Sequence, residues 1–141
     1  MRSTVRRATA AALFALAGLH VLWGRGSSFP FSDPDDLTDS VIGRSSVPSA
    51  EACFGVAAAL TAAALLVADV PRLPRAVQRA GVTGVAFVLA SRAGLGFAGK
   101  TDAVSPGSVS SRFRRLDRRV YSPLCLALAT GAVVARRRSV T

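Results

Sequence analysis

Apolar residues in this chain come in four dense blocks, at residues 8–23, 52–68, 80–90 and 120–135, with short polar stretches between them. The blocks keep neither the strict alternation of a half-buried strand nor the one-sided stripe of a soluble amphipathic helix. With its flanks, each block approaches the roughly 20 residues that a helix needs to cross a bilayer core. At 141 residues the chain is one domain by length, and a soluble domain of that size could not bury four such segments. The pattern therefore predicts an all-α fold, an integral membrane four-helix bundle forming a single transmembrane domain over residues 1–141. Its spans are expected at about 5–24, 50–70, 76–96 and 117–136.

The residues between the blocks set the boundaries. Arg2, Arg6 and Arg7 precede the first block as in a secretory leader, but the block ends at Trp23-Gly24-Arg25 without a small-x-small cleavage site. An uncleaved first span is the preferred reading, with Trp23 at a membrane interface. Residues 24–49 form a loop holding three prolines and the acids Asp33, Asp35, Asp36 and Asp39. A short turn of helix fits around residues 35–41, with Pro34 in its first turn. Ser49 is placed to cap the second helix, and Glu51 falls in its first turn, where a carboxylate suits the helix dipole. Pro71 and Pro74 stop that helix. In the third, Ala80, Gly81, Gly84 and Ala90 offer a small face for close packing, and Arg92 lies near the far end.

The most charged stretch, residues 111–125, leads straight into the last block and carries five arginines, Asp117, Tyr121 and Pro123. Val109, Phe113, Leu116 and Val120 fall on one helical face, with Arg114, Arg115 and Arg118 on the other. This describes an interfacial amphipathic segment lying in the headgroup region before the last span. If Pro123 opened that span, only about 20 Å of helix would remain before Arg136. A core of about 30 Å needs more. Either the helix starts near Asp117 and kinks at Pro123, freeing a carbonyl near Arg119, or the bilayer thins. The kink is preferred.

Composition and charge narrow the function classes. The formal charge is +10, yet arginines sit at the ends of apolar blocks, where they snorkel toward headgroups instead of lining a nucleic-acid surface. No nucleic-acid partner is expected; membrane lipids, including anionic headgroups, are, together with a possible membrane protein partner. One histidine and two cysteines cannot supply a zinc-type ligand set, so no metal and no cofactor are implied. Cys53 and Cys125 read as small buried hydrophobes or as a disulfide pair at the outer face. An N-terminus inside places nine basic residues on the cytoplasmic side, including Arg72, Arg75, Arg79 and Arg136–Arg138. The other side holds Arg25, Arg44, Lys100 and the cluster from Arg112 to Arg119, which is nearly a tie. The acidic first loop tips the reading toward a multi-pass protein of the cell membrane with both termini cytoplasmic.

In either orientation, alternating spans gather His20, Trp23, Glu51, Cys53, Arg92, Asp117, Arg118, Arg119 and Tyr121 at one membrane face. Several segments there also carry a resemblance. These are G-L-H-V-L-W-G-R-G at residues 18–26, S-F-P at 28–30, D-x-V-I-G at 39–43, V-P at 47–48, S-R-A-G-L-G-F-A-G-K at 91–100 and F-R-R-L-D-R-R-V-Y-S-P-L-C-L at 113–126. Together they resemble a family of small bacterial four-span membrane proteins classed as a domain of unknown function. The resemblance puts His20, Trp23, Arg92, Asp117, Tyr121, Ser122, Pro123 and Cys125 on family positions. Glycines follow Arg92 where family members often carry an acid. The family brings no activity with it.

Two functions compete. In the first, the polar face binds and acts on a lipid-like or isoprenoid substrate. His20, Glu51 and Asp117 would be its catalytic acids or bases, and Trp23, Arg92, Arg118 and Tyr121 its substrate-binding groups. In the second, the chain is a non-catalytic lipid-binding or accessory subunit whose polar cluster is structural. Transport fits less well, because the broken-helix signature is missing. A pocket lined by His20, Glu51, Arg92 and Asp117 would favour the first function, and a solidly packed, fully paired cluster the second. Arg92 is expected to pair with Asp117 or Glu51.

Overall fold

The computed structural model describes residues 1–43, 47–70, 73–103, 106 and 110–136. Arg44, Pro71, Arg72, Val109, Arg137 and Arg138, all used above, lie outside these residues. Every regular element among the described residues is helical. Three helices, α1 (Arg2–Gly24), α3 (Ala50–Ala68) and α4 (Arg75–Phe97), are long and apolar enough to cross a membrane. A short α2 (Pro34–Leu37) continues into a wide π-helical turn, Thr38–Ile42. Toward the C-terminus α5 (Ser111–Leu116), a second π-helical turn (Asp117–Tyr121) and α6 (Ser122–Arg136) run on without a break.

Local chemistry explains the boundaries. Asp33 caps α2 by accepting from the Asp36 amide at 2.8 Å, and Pro34 occupies the first helical position, where its missing N–H costs nothing. Ser49 caps α3 by accepting from the Ala52 amide at 3.2 Å, with Glu51 in the first turn. Asp69 ends α3 in the left-handed conformation at φ 68°.

Pro123 is handled differently from a simple kink. The turn before it widens, so the Ser122 amide reaches back five residues to the Asp117 carbonyl. The helix thereby begins at Ser111, earlier than the hydropathy pattern implies, and its regular part after the wide turn is only 15 residues long.

The long helices form a ring in which α1 packs on α3 and α6, and α4 packs on α6. The α3–α4 side is held more lightly, and the buried Gln78 side chain donates across it to the Leu66 carbonyl. The core consists of Ala10, Leu13, Ala64, Val67, Val82, Ala86, Leu128 and Ala132, so side-chain size limits how closely the axes approach. At Gly131 α6 comes so near α1 that a Cβ would run into the Thr9 hydroxyl. Large apolar side chains point the other way: Phe87 is 72% and Val88 65% exposed, while Thr9, Gln78, Asp117 and Ser122 are buried. A protein dissolved in water would not place them so; one surrounded by acyl chains would. This is a membrane-embedded all-α bundle.

The amphipathic segment is present, but its apolar side is taken up by protein. Phe113 is buried against Gly43 at the end of the first π-helical turn, and the Ser110 amide donates to the Gly43 carbonyl at 3.2 Å. Arg112 pairs with Asp36 at 2.6 Å, and the Tyr121 hydroxyl donates to the Ser40 carbonyl at 2.9 Å. Only Val120 of the apolar set stays exposed. Thus the connection between the first two long helices is fastened to the start of the last one.

Gly43 has φ 72°, and a Cβ there would lie 2.8 Å from the Phe113 Cβ. We expect Gly43→Ala to lose about 1–2 kcal/mol from the backbone conformation alone. Thermal unfolding in detergent, with unchanged stability as the contrary result, measures this.

Candidate functional site

The end of the bundle that carries the α1–α3 connection holds two distinct arrangements. The first is built on Asp117, which is 1% exposed at the start of the second π-helical turn. A carboxylate so placed needs several donors to offset its lost hydration. Arg92 Nη2, from the last turns of α4, donates to its Oδ1 at 2.8 Å. Thr101 Oγ1, from a short 3₁₀ turn (Thr101–Ala103), donates to Oδ2 at 2.5 Å. Ser122 Oγ adds a longer contact to Oδ1 at 3.3 Å. With Oδ2 turned to Thr101, Arg92 cannot form a two-pronged pair, and its Nη1 is left buried without a partner. Gly96 makes the closure possible, since a Cβ there would lie 2.9 Å from both Asp117 Oδ2 and Arg92 Nη1.

The second arrangement is a pocket of about 140 Å³ between α1, α3 and the segment joining them. His20 and Trp23 form one wall, Ala52, Cys53 and Val56 another, and Leu37, Val41, Ile42, Val47 and Pro48 the third. His20 and Trp23 are tilted against each other with ring centroids 4.8 Å apart. Trp23 Nε1 donates to the Phe29 carbonyl at 2.7 Å, and His20 Nδ1 lies 2.8 Å from the Leu16 carbonyl.

The expected residues therefore separate into groups. Arg92 and Asp117 meet, as the shared membrane side implied, and they are joined by Ser122 and by Thr101, which no periodic pattern marked. His20 and Trp23 line the pocket together with Cys53. Glu51 is exposed; it neither lines the pocket nor reaches Arg92, whose carboxylate partner is Asp117. Arg118 is exposed, with its guanidinium over Gly99. Tyr121 is half-buried and spends its hydroxyl on the Ser40 carbonyl. Cys53 and Cys125 are both free thiols, so the disulfide alternative does not hold. Among the described residues no cluster of histidine, cysteine and carboxylate side chains could hold a metal ion.

Outside the spans, burial pushes the Asp36 carboxyl up, while the hydrogen bond from Ser32 and the charge of Arg112 outweigh it and hold it below its ordinary value. Its stabilising contribution is complete above the ordinary carboxylate range and is lost as pH falls through the lowered value.

Removing the Asp117 carboxylate leaves Arg92 facing a buried, unpaired environment. Asp117→Ala is expected to destabilise the bundle by about 3 kcal/mol, the low end for a buried pair, because the Arg92 side chain is 29% exposed. Asp117→Asn, which keeps two acceptor positions on one oxygen, should lose less. Unfolding midpoints in one detergent compare the two variants, and equal stability of all three proteins would contradict the pairing.

No curated protein and no solved structure matches the chain. A family model does, over residues 13–132, which include His20, Trp23, Arg92, Asp117, Tyr121, Ser122 and every residue lining the pocket. The chain belongs to the family described as "Protein of unknown function (DUF3995)".

Proposed function

We propose that this chain is a non-catalytic membrane protein that holds the apolar part of a lipid-like or isoprenoid molecule in the His20–Trp23 pocket, as a carrier or accessory subunit. One observation carries the reading: the only charged cluster with a buried carboxylate is internally paired, while the pocket is walled by apolar side chains and no carboxylate lines it. Acid–base catalysis needs a titratable group within reach of the bound molecule. Asp117 is committed to three donors and Glu51 stands outside the pocket, which leaves His20 alone of the expected catalytic residues.

In this reading α6 and the wide turn before it form a fourth span, both termini are cytoplasmic in the cell membrane, and the exposed arginines from Arg114 to Arg119 meet anionic headgroups. Such arginines contribute about 1 kcal/mol each near a charged surface. A membrane protein partner would complete the accessory role by receiving or delivering the bound molecule.

Purification in mild detergent followed by mass spectrometry of co-purified lipids tests the reading. One lipid-like species should be enriched over bulk membrane lipid and lost in Ala52→Phe, which fills the pocket. The reading fails if no species is enriched, or if filling the pocket changes nothing.

A further inference from the structure

The polar groups around the pocket can be counted, and the count restricts what the pocket accepts. No arginine, lysine or carboxylate is among its lining residues. A phosphate or carboxylate head inside it would be an unpaired charge in apolar surroundings, at a cost of several kcal/mol on the scale of about 20 kcal/mol for the idealised transfer. Trp23 has one N–H donor, and it is spent on the Phe29 carbonyl. Cys53 adds only a thiol, a weak hydrogen-bonding group. His20 is the remaining candidate.

Its two nitrogens are not equivalent. Nδ1 lies 2.8 Å from the Leu16 carbonyl, one turn back on α1, and a carbonyl oxygen can only accept, so Nδ1 carries the hydrogen. In the neutral ring Nε2 is then a bare lone pair on the opposite ring edge, turned away from the α1 backbone where His20 lines the pocket. The wall thus presents one acceptor in otherwise apolar surroundings, and a buried acceptor left without a donor costs about 1–3 kcal/mol.

We propose, building on the pocket reading above, that the bound molecule is a neutral, chiefly apolar alcohol whose single hydroxyl donates to His20 Nε2. Its chain fills the space between Val41, Ile42, Val56 and Pro48. Phosphorylated forms of the same chain are excluded from the pocket by the missing cation. The ligand class is therefore an unphosphorylated isoprenoid or fatty alcohol, and the arginines at the membrane surface play no part in holding its head.

Trp23 is the single tryptophan of the chain and forms a wall of the pocket, so its fluorescence reports occupancy directly. Three probes with one carbon skeleton, geraniol, its methyl ether and geranyl phosphate, are titrated into the purified full-length protein in detergent. Geraniol should bind about threefold to tenfold more tightly than the ether, the span of one net hydrogen bond, and the phosphate more weakly than either. In His20→Phe the alcohol–ether difference should vanish while both still bind; His20→Gln, which retains an acceptor oxygen, should restore part of it. Equal binding of alcohol and ether to the unaltered protein, or preference for the phosphate, overturns the hydroxyl assignment and leaves the apolar pocket standing. No response to any of the three overturns the pocket reading itself.

Discussion

The structure depends on one buried carboxylate being kept satisfied. Asp117 ties together three pieces of chain that are otherwise free to slide: the end of α4 through Arg92, the turn after it through Thr101, and the start of α6 through Ser122. Apolar packing cannot supply this positional information in a membrane, because lipid tails are as good a neighbour for leucine as another helix is. Below this hub the α4–α6 pair is small-residue packing; above it the same stretch of chain reaches across to the α1–α3 connection through Tyr121 and Arg112. Fixing Asp117 therefore fixes where Tyr121 stands, and with it the Thr38–Ile42 turn that supplies Val41 and Ile42 to the pocket.

The division of labour between the two arrangements also separates stability from recognition. The charged cluster has no room to accept anything, since the absence of a side chain on Gly96 is itself used to bring the donors together. The pocket has room and almost no polarity. The two could therefore change independently: altered pocket walls need not disturb the hub, provided that the tyrosine anchor is kept.

Much of this was legible in the residues. Block length and the arginines at block ends gave the membrane bundle, and the caps at Asp33 and Ser49 and the proline at position 34 announced their helices because those signals are local. The Arg92–Asp117 pair followed from topology alone, since two opposite charges on one membrane side of a small bundle have few other partners. What could not be read was tertiary. Thr101 is an ordinary loop threonine until the chain folds back onto Asp117, and nothing marks Glu51 as excluded while its neighbours Ala52 and Cys53 line a cavity. The gathering of all polar groups into one cluster was the natural inference from sidedness; sidedness fixes depth, and the position around the bundle axis is set by packing.

The wide turn at Asp117–Tyr121 explains a further gap between pattern and structure. In a regular α-helix two residues five apart point about 140° away from each other. Asp117 and Ser122 are five apart, yet their side chains meet, because the turn between them closes one residue late. The last helix is therefore phased twice: residues 111–116 are aligned to the Thr38–Ile42 turn, and residues 122–136 to α1 and α4. The number of residues between the two parts is as much a part of the design as their identity. The chain uses a single supernumerary residue as a rotary offset, so that one continuous helix serves two partners that face it from different directions.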